Sequence, residues 1–131
     1  MKKIGTLNQP LSAVIAGLGH MDQLVIADAG LTNPAGTGRI DLALKAGIPG
    51  FMDTLAVILE EMQVESVVIA GEMVSTSQQI YQQVCEMLPD IPIEIVPHEE
   101  FKKLTGEARA VVRTGEFTPY ANIILKAGVV F

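Results

Sequence analysis

The sequence has 131 residues, of which 49% are hydrophobic and 18% charged, a composition that excludes a disordered chain and is typical of one folded domain, here residues 1–131. The formal net charge is −6 and the nine Lys and Arg residues are scattered, which argues against nucleic acid and anionic membrane surfaces as partners. No apolar stretch is long enough to span a bilayer and the N-terminus lacks an export signal, so we expect a soluble protein of the cytoplasm.

The first third of the chain predicts a helix, a buried strand and a loop, in that order. The helix begins after Asn8, a good N-cap residue, and its apolar side chains recur at helical spacing until Gly17. A short apolar run, Gln23–Asp28, predicts a buried strand, and the Gly-, Pro- and Asn-rich residues 29–38 predict a loop. Residues 40–44 are interpreted as a strand or an extended segment.

The rest of the chain predicts alternating helices and strands. These are a helix at Phe51–Met62, a strand at Val64–Gly71, a helix at residues 75–88, a strand at 91–97, a helix at 98–104, a strand at 108–115 and strand-like residues from 121 to 131. Because the strands carry little charge, we expect helices on both faces of the sheet. The fold class is therefore α/β, a three-layer α/β/α domain with a mostly parallel sheet and added C-terminal strands that are antiparallel.

His20 is the first candidate for chemistry, because histidine titrates near neutral pH and is the usual proton-transfer group. It follows Leu18 and Gly19 in a turn between a helix and a strand, where the backbone can approach a ligand. The alternative is a surface or hydrogen-bonded structural histidine. His98, the second histidine, begins a short helix, and Lys102 lies one turn later on the same face. On the residues alone, His98 and Lys102 form a solvated face.

Asp28 and the segment Thr118–Asn122 are the other candidates. Asp28 ends an apolar strand before a loop, and ligands of open α/β sheets gather at the carboxyl ends of strands; capping of loop amides is the alternative. The segment predicts a turn entering a strand, with Tyr120 and Asn122 on the same side of an extended chain. A phenol beside an amide suits a hydroxyl-rich ligand, whereas the alternative for Tyr120 is core packing.

Several kinds of site are excluded by the sequence. There is no nucleophile elbow, no phosphate-binding loop and no complete dinucleotide fingerprint. Two distant histidines and the single cysteine, Cys85, give no metal-ligand spacing, and one cysteine cannot form an intrachain disulfide. We therefore expect chemistry that needs proton transfers only, with no cofactor and no metal.

Four segments of the sequence resemble the D-ribose pyranase family along essentially the whole chain. They are LGHMDQLVIADAGL (Leu18–Leu31), IDLALKAGIPGF (Ile40–Phe51), HEEF (His98–Phe101) and RTGEFTPYANIILKAGVVF (Arg113–Phe131). The combination of LGH-x-D, ADAGL and GE-x-TPYAN is highly specific. The related L-fucose mutarotases share the fold and a looser version of these motifs. One departure is visible, because the family usually has a proline soon after AGL, where this chain has Thr32-Asn33-Pro34.

The resemblance implies a Rossmann-like fold of the ribose-pyranase type and an enzyme that interconverts the six- and five-membered ring forms of D-ribose. It implies that His20 is the catalytic acid/base and that Asp28, His98, Tyr120 and Asn122 bind the sugar. Lys102 matches a family position near the site. The resemblance further implies cytoplasmic, ring-shaped homo-oligomers, commonly pentamer-based decamers or octamers, that supply ribose to ribokinase.

The spacing of His20 and Asp28 adds an expectation about assembly. The two residues flank one predicted strand, and eight extended residues span up to about 26 Å. Both side chains therefore cannot touch one small sugar within a subunit unless the turn folds back, and we expect a site built across a subunit interface. Two other functions stay open: an L-fucose-type mutarotase, and a non-catalytic sugar-binding or transporter-associated module.

Overall fold

The computed structural model describes residues 1–131 and contains one six-stranded sheet. Its strands are β1 (Gln23–Ala27), β2 (Gly38–Asp41), β3 (Val64–Ala70), β4 (Ile93–Val96), β5 (Ala110–Arg113) and β6 (Ile123–Ala127), in the order β2-β5-β1-β6-β3-β4. Five strands are parallel to one another, and β6 is antiparallel to both of its neighbours, β1 and β3. The α/β class and the mostly parallel sheet are confirmed. The antiparallel addition is a single strand, and it lies in the middle of the sheet.

Five helices connect or flank the strands. They are α1 (Gln9–Gly17), α2 (Phe51–Glu61), α3 (Gly71–Thr76), α4 (Gln78–Met87) and α5 (His98–Leu104), which a short 3₁₀ turn follows. The single helix predicted for residues 75–88 is wrong, because the chain breaks at Ser77 into α3 and α4. The hydroxyl of Ser77 donates to the carbonyl oxygen of Pro119 and does not cap a helix. No helix is both long and apolar enough to cross a membrane.

Alternating side chains divide the core into two layers. Leu24 and Ile26 of β1 face the larger cluster, in which Phe51 of α2 is fully buried. Val25 faces the other side of the sheet and belongs to the smaller cluster. Phe101 of α5 lies in the same cluster and is also fully buried. Burying one such aromatic side chain stabilises the fold by about 1.5–3 kcal/mol. Helices thus cover both faces, as the weakly charged strands predict.

The strand directions create two chemically different edges. The carboxyl ends of the five parallel strands meet the beginning of β6 at one edge, which we call the carboxyl edge. The beginnings of β1 and β3 meet the end of β6 at the opposite edge, which we call the amino edge. Because β6 runs against its neighbours, residues just before it lie beside residues just after β1.

Candidate functional site

Asp28 and Asn122 form a reciprocal pair at the carboxyl edge. The backbone N–H of Asp28 donates to Oδ1 of Asn122 at 2.8 Å, and Nδ2 of Asn122 donates back to Oδ2 of Asp28 at 3.0 Å. The other carboxylate oxygen of Asp28 accepts from the backbone N–H of Gly30 at 2.9 Å. Asn122 is 1% exposed, so its amide fixes the direction of the Asp28 carboxylate. Asp28 therefore both caps its loop and presents a fixed carboxylate at the edge.

Tyr120 and His98 lie against each other beside this pair. Tyr120 has φ +61°, so the predicted extended segment is wrong at this residue, which lies in a turn. Its ring meets His98 edge-on, with centroids 5.0 Å apart, and His98 stacks on Phe101 at 6.3 Å. The imidazole is half-buried and its Nδ1 is buried without a hydrogen-bond partner. The solvated face expected for His98 is therefore wrong, because two aromatic rings cover its imidazole.

All four residues implied to bind the sugar line one cavity of about 250 Å³. The lining consists of Asp28, Gly30, Leu31, His98, Pro119, Tyr120 and Asn122. Pockets for drug-sized ligands usually have roughly 300–1,000 Å³, so this cavity suits a smaller molecule. Lys102 does not contribute to the lining; its ammonium group pairs with Glu99 at 2.7 Å on the outer side of α5.

A second cavity of about 380 Å³ adjoins the first one and shares Asp28, Gly30 and Pro119 with it. Arg113 lines this second cavity at the end of β5. Its Nε donates to the carbonyl oxygen of Ala29 at 3.0 Å, and its guanidinium pairs with a carboxylate of β2 at 3.0 Å. Arg113 thus holds the loop that follows Asp28 to the neighbouring strands.

Glu116 connects three segments around the two cavities. One carboxylate oxygen accepts from the N–H of Phe51 at the start of α2, and the other accepts from the hydroxyl of Thr118 at 2.9 Å. Its carbonyl oxygen accepts from the N–H of Ala29 at 2.9 Å. Burial alone would raise the pKa of Glu116, but the hydrogen bonds from Phe51 and Thr118 outweigh it and hold the pKa below its ordinary value. The loop of Tyr120 therefore depends on the ionised carboxylate of Glu116, and the loop of Asp28 on its backbone carbonyl.

His20 lies at the amino edge, away from these residues. Its Nε2 is 2.6 Å from Oε2 of Glu65, and the two side chains are 52% and 49% exposed. A cavity of about 460 Å³ lies beside it, lined by the end of α1, the end of α2 and the C-terminal residues 127–131. The five residues of β1 alone separate the two edges by about 17 Å. The structure therefore brings four candidate residues together and leaves His20 with a different group.

One residue beside His20 and one residue of the carboxyl-edge cavity have an uncommon backbone conformation. Met21, which follows His20, and Tyr120 are the two non-glycine residues of the chain with positive φ, at +69° and +61°. Such left-handed conformations are costly for residues with a Cβ and concentrate at functional sites. Their positions single out both the amino-edge and the carboxyl-edge groups.

Three carboxylates were missed by the sequence-based search for functional residues. Glu65 pairs with His20, Glu72 accepts from the N–H of His98 through both oxygens at 3.2 and 2.9 Å, and Glu116 supports the loops. Glu116 lies within the quoted segment GE-x-TPYAN, which was a usable signal. Glu65 and Glu72 had none, because their partners lie 45 and 26 residues away in the chain.

The fold and the small polar cavity at its carboxyl edge define an α/β protein with a site sized for a small ligand. The chain belongs to the RbsD / FucU transport protein family, whose model matches residues 1–130. A similar curated protein is the D-ribose pyranase of Laribacter hongkongensis, which is 56% identical over 131 residues, with all of both chains covered.

Two solved structures are similar over nearly the whole chain. The structure of Bacillus subtilis RbsD complexed with D-ribose is 53% identical, covers 100% of both chains and has a TM-score of 0.98. The fucose mutarotase of Streptococcus pneumoniae in complex with L-fucose is 27% identical, covers 94% of both chains and has a TM-score of 0.80. The expected family and fold are thus confirmed.

Proposed function

We propose that this protein is a D-ribose pyranase, an isomerase that interconverts the pyranose and furanose forms of D-ribose. The observation that carries the proposal is the convergence of Asp28, His98, Tyr120 and Asn122 on one small cavity. A fixed carboxylate, an imidazole, a phenol and the backbone around them offer several hydrogen-bonding groups to a compact polyol. The 56% identity to a curated D-ribose pyranase over the full chain supports the same substrate.

The reaction balances with proton transfers alone. On opening, the bond between C1 and the ring oxygen breaks, the ring oxygen takes a proton, and the anomeric hydroxyl loses one as it becomes the aldehyde. On closing, the other chain hydroxyl adds to C1 and loses its proton, and the carbonyl oxygen takes one. A group that donates and accepts a proton near neutral pH, with fixed partners for the remaining hydroxyls, meets these needs.

The proposed roles follow from this chemistry. His20 moves the proton, Asp28 and Asn122 fix sugar hydroxyls, and His98 and Tyr120 complete the polar wall. Within one chain His20 lies at the other edge of the sheet, so the proposal includes a homo-oligomer in which His20 of one subunit reaches the cavity of its neighbour. A pentamer-based decamer in the cytoplasm, supplying ribose to ribokinase, is the assembly and setting that we propose.

The L-fucose-type alternative is less well supported than ribose. Identity is 53% to the RbsD complexed with D-ribose but 27% to the fucose mutarotase complexed with L-fucose. A non-catalytic sugar-binding module requires only the carboxyl-edge cavity and gives no reason for the exposed imidazole paired with a carboxylate at the amino edge.

Saturation-transfer NMR with D-ribose and with L-fucose tests the proposal directly. We expect the protein to accelerate exchange between the pyranose and furanose forms of ribose, and His20→Ala to slow it by about 10²–10⁴-fold while the fold is retained. Binding of ribose without acceleration would favour the non-catalytic module, and faster exchange of fucose than of ribose would favour the mutarotase. A folded His20→Ala variant with unchanged rates would remove His20 from its role.

A further inference from the structure

We infer that Glu65 is a positioning residue that fixes which ring nitrogen of His20 carries the hydrogen and which one exchanges a proton. The inference rests on the proposed function, in which His20 is the acid/base. Nε2 of His20 and Oε2 of Glu65 are 2.6 Å apart, a short distance for a charge-assisted hydrogen bond. A carboxylate can only accept here, so Nε2 carries the hydrogen. Nδ1 is then the nitrogen left to exchange a proton with the sugar, as in other pairs in which a carboxylate orients an imidazole.

The backbone at Glu65 is built to aim this side chain. β3 pairs with β6 through Val64 opposite Ala127 and Ser66 opposite Lys126, so Glu65 is one extra residue between two successive pairs. Such a β-bulge bends the strand and redirects a side chain, and bulges are common beside active sites. An unbulged strand would carry Glu65 in the regular pleat of β3.

Gly128 provides a second, independent sign of this arrangement. A Cβ at position 128 would lie 3.2 Å from Cβ of Glu65 and 3.4 Å from its backbone nitrogen. The shorter distance is tighter than most Cβ contacts, so a side chain at position 128 would require Glu65 to shift by a few tenths of an ångström. The chain after β6 therefore lies close to the bulge, and it is held there by a hydrogen bond from the N–H of Gly128 to the carbonyl oxygen of Gln63 at 2.9 Å.

The turn that carries His20 is fixed as well. The N–H of Met21 donates to the carbonyl oxygen of Ala127 at 2.8 Å, and the N–H of Ala127 donates to the carbonyl oxygen of Asp22 at 2.8 Å. The carboxylate of Asp22 accepts from the N–H of Gly19 at 2.8 Å. Met21, between these contacts, has φ +69°. His20 and Glu65 are thus presented by two rigid segments that both bond to the end of β6.

Charged side chains near this edge form three further ion pairs. Asp22 pairs with Arg109 at 2.9 Å, Glu61 on the cavity wall pairs with Lys2 at 3.2 Å, and Lys126 pairs with Glu94 at 3.7 Å. Glu65 is therefore the carboxylate that faces the imidazole directly.

The test is the ribose exchange rate in Glu65→Gln at varied ribose concentration, measured by saturation-transfer NMR. We expect kcat to fall about two- to fivefold, as is typical of the loss of an exposed ion pair. KM should not change, because Glu65 does not line the sugar cavity. Glu65→Asp keeps a carboxylate acceptor and should restore part of the lost kcat.

Glu94→Gln is the matched control, since it removes one exposed carboxylate from the adjoining strand without touching His20. It should leave kcat and KM unchanged. A wild-type kcat in Glu65→Gln, with His20→Ala inactive, would overturn the role of Glu65 and leave the proposed function standing. Full activity of His20→Ala would instead remove the proposed function on which the inference rests.

A direct measurement covers the case in which Glu65→Gln does not fold. ¹⁵N NMR of the imidazole in the wild-type protein identifies the protonated nitrogen of neutral His20. We expect the Nε2–H form, with Nδ1 bare. A predominant Nδ1–H form would contradict the inference whatever the variants do.

Discussion

At the scale of single residues, Glu116 illustrates how one carboxylate can support a site without lining the sugar cavity itself. Its side chain joins the start of α2 to the loop of Thr118, and its backbone joins the loop after Asp28. Removing the carboxylate leaves the N–H of Phe51 and the hydroxyl of Thr118 without this partner. Groups that donate to a charged acceptor contribute about 1.5–3 kcal/mol each at most.

We expect Glu116 to make the stability of the protein fall in acid. Its pKa in the folded state lies below the ordinary value of 4.5, so the unfolded chain binds the proton more readily. The contribution is complete above the unfolded pKa and is lost as the pH falls through the lower, folded value. Urea unfolding of wild type and Glu116→Gln between about pH 3 and about pH 7 should give a difference in the free energy of unfolding that shrinks as the pH is lowered. A constant difference across that window would contradict this role.

At the scale of elements, α5 presents His98 to the cavity and Glu72 holds its first turn. Glu72 lies at the start of α3 and accepts from the N–H of His98 at 2.9 Å with the closer oxygen. The preceding residue, Pro97, makes no side-chain hydrogen bond that would cap this helix. The position of the imidazole between Tyr120 and Phe101 therefore depends on a contact between two helices that follow adjacent strands.

We expect Glu72→Ala to weaken ribose binding more than it slows the chemical step. Loss of the acceptor leaves the first N–H of α5 unpaired, which lowers the free energy of unfolding by about 1–2 kcal/mol. It also loosens the position of the His98 imidazole. KM should therefore rise several-fold while kcat changes less, as saturation-transfer NMR at varied ribose concentration can measure. Glu99→Ala on the same helix is the control, since its exposed pair with Lys102 contributes little. Equal effects of the two substitutions would show that Glu72 has no special part in holding His98.

The elements also show how far the sequence alone could lead. Local signals were sufficient for α1, where Oδ1 of Asn8 accepts from the N–H of Leu11 as the N-cap pattern predicts, and for α5, which matches its predicted bounds. Contacts between distant segments could not be predicted from the sequence. The break at Ser77 depends on Pro119, 42 residues away, and no local pattern places β6 between two strands that precede it.

The candidate site divides in the same way. Asp28 could be predicted because an acidic residue that ends an apolar strand lies at the carboxyl edge of any parallel sheet. The burial of Asn122 follows from the antiparallel direction of β6. The sequence predicted this direction but not the position of β6 in the sheet. The pairing of His20 with Glu65 also depends on β6, because both segments bond to its last residues. One strand, inserted centrally, therefore accounts for much of what the sequence could not give.

At the scale of the whole molecule, each edge of the sheet is flanked by exposed apolar side chains. Phe117 lines the cavity beside Asp28 and is 71% exposed, while Val130 and Phe131 line the cavity beside His20 and are 83% and 102% exposed. Apolar surface of this kind is common where copies of a chain associate. It supports the proposal that the amino edge of one subunit meets the carboxyl edge of the next.

Such a head-to-tail contact leads to the expectation that two inactive variants restore each other. A subunit with Asp28→Ala still supplies His20, and a subunit with His20→Ala still supplies an intact cavity. In oligomers assembled at random from equal amounts, about one site in four then combines both intact residues. Ribose exchange should recover to about that fraction of the wild-type rate after the variants are unfolded and reassembled together.

The control mixes Asp28→Ala with Asn122→Ala, because these residues pair within one chain and no assembly can reunite them in a mixed site. It should stay inactive. If oligomers shown by mass spectrometry to contain both His20→Ala and Asp28→Ala subunits also remain inactive, the site does not form between neighbours. His20 would then have to cross the length of β1 within its own chain, which the short, fully paired strand does not allow without a large rearrangement of the turn before it.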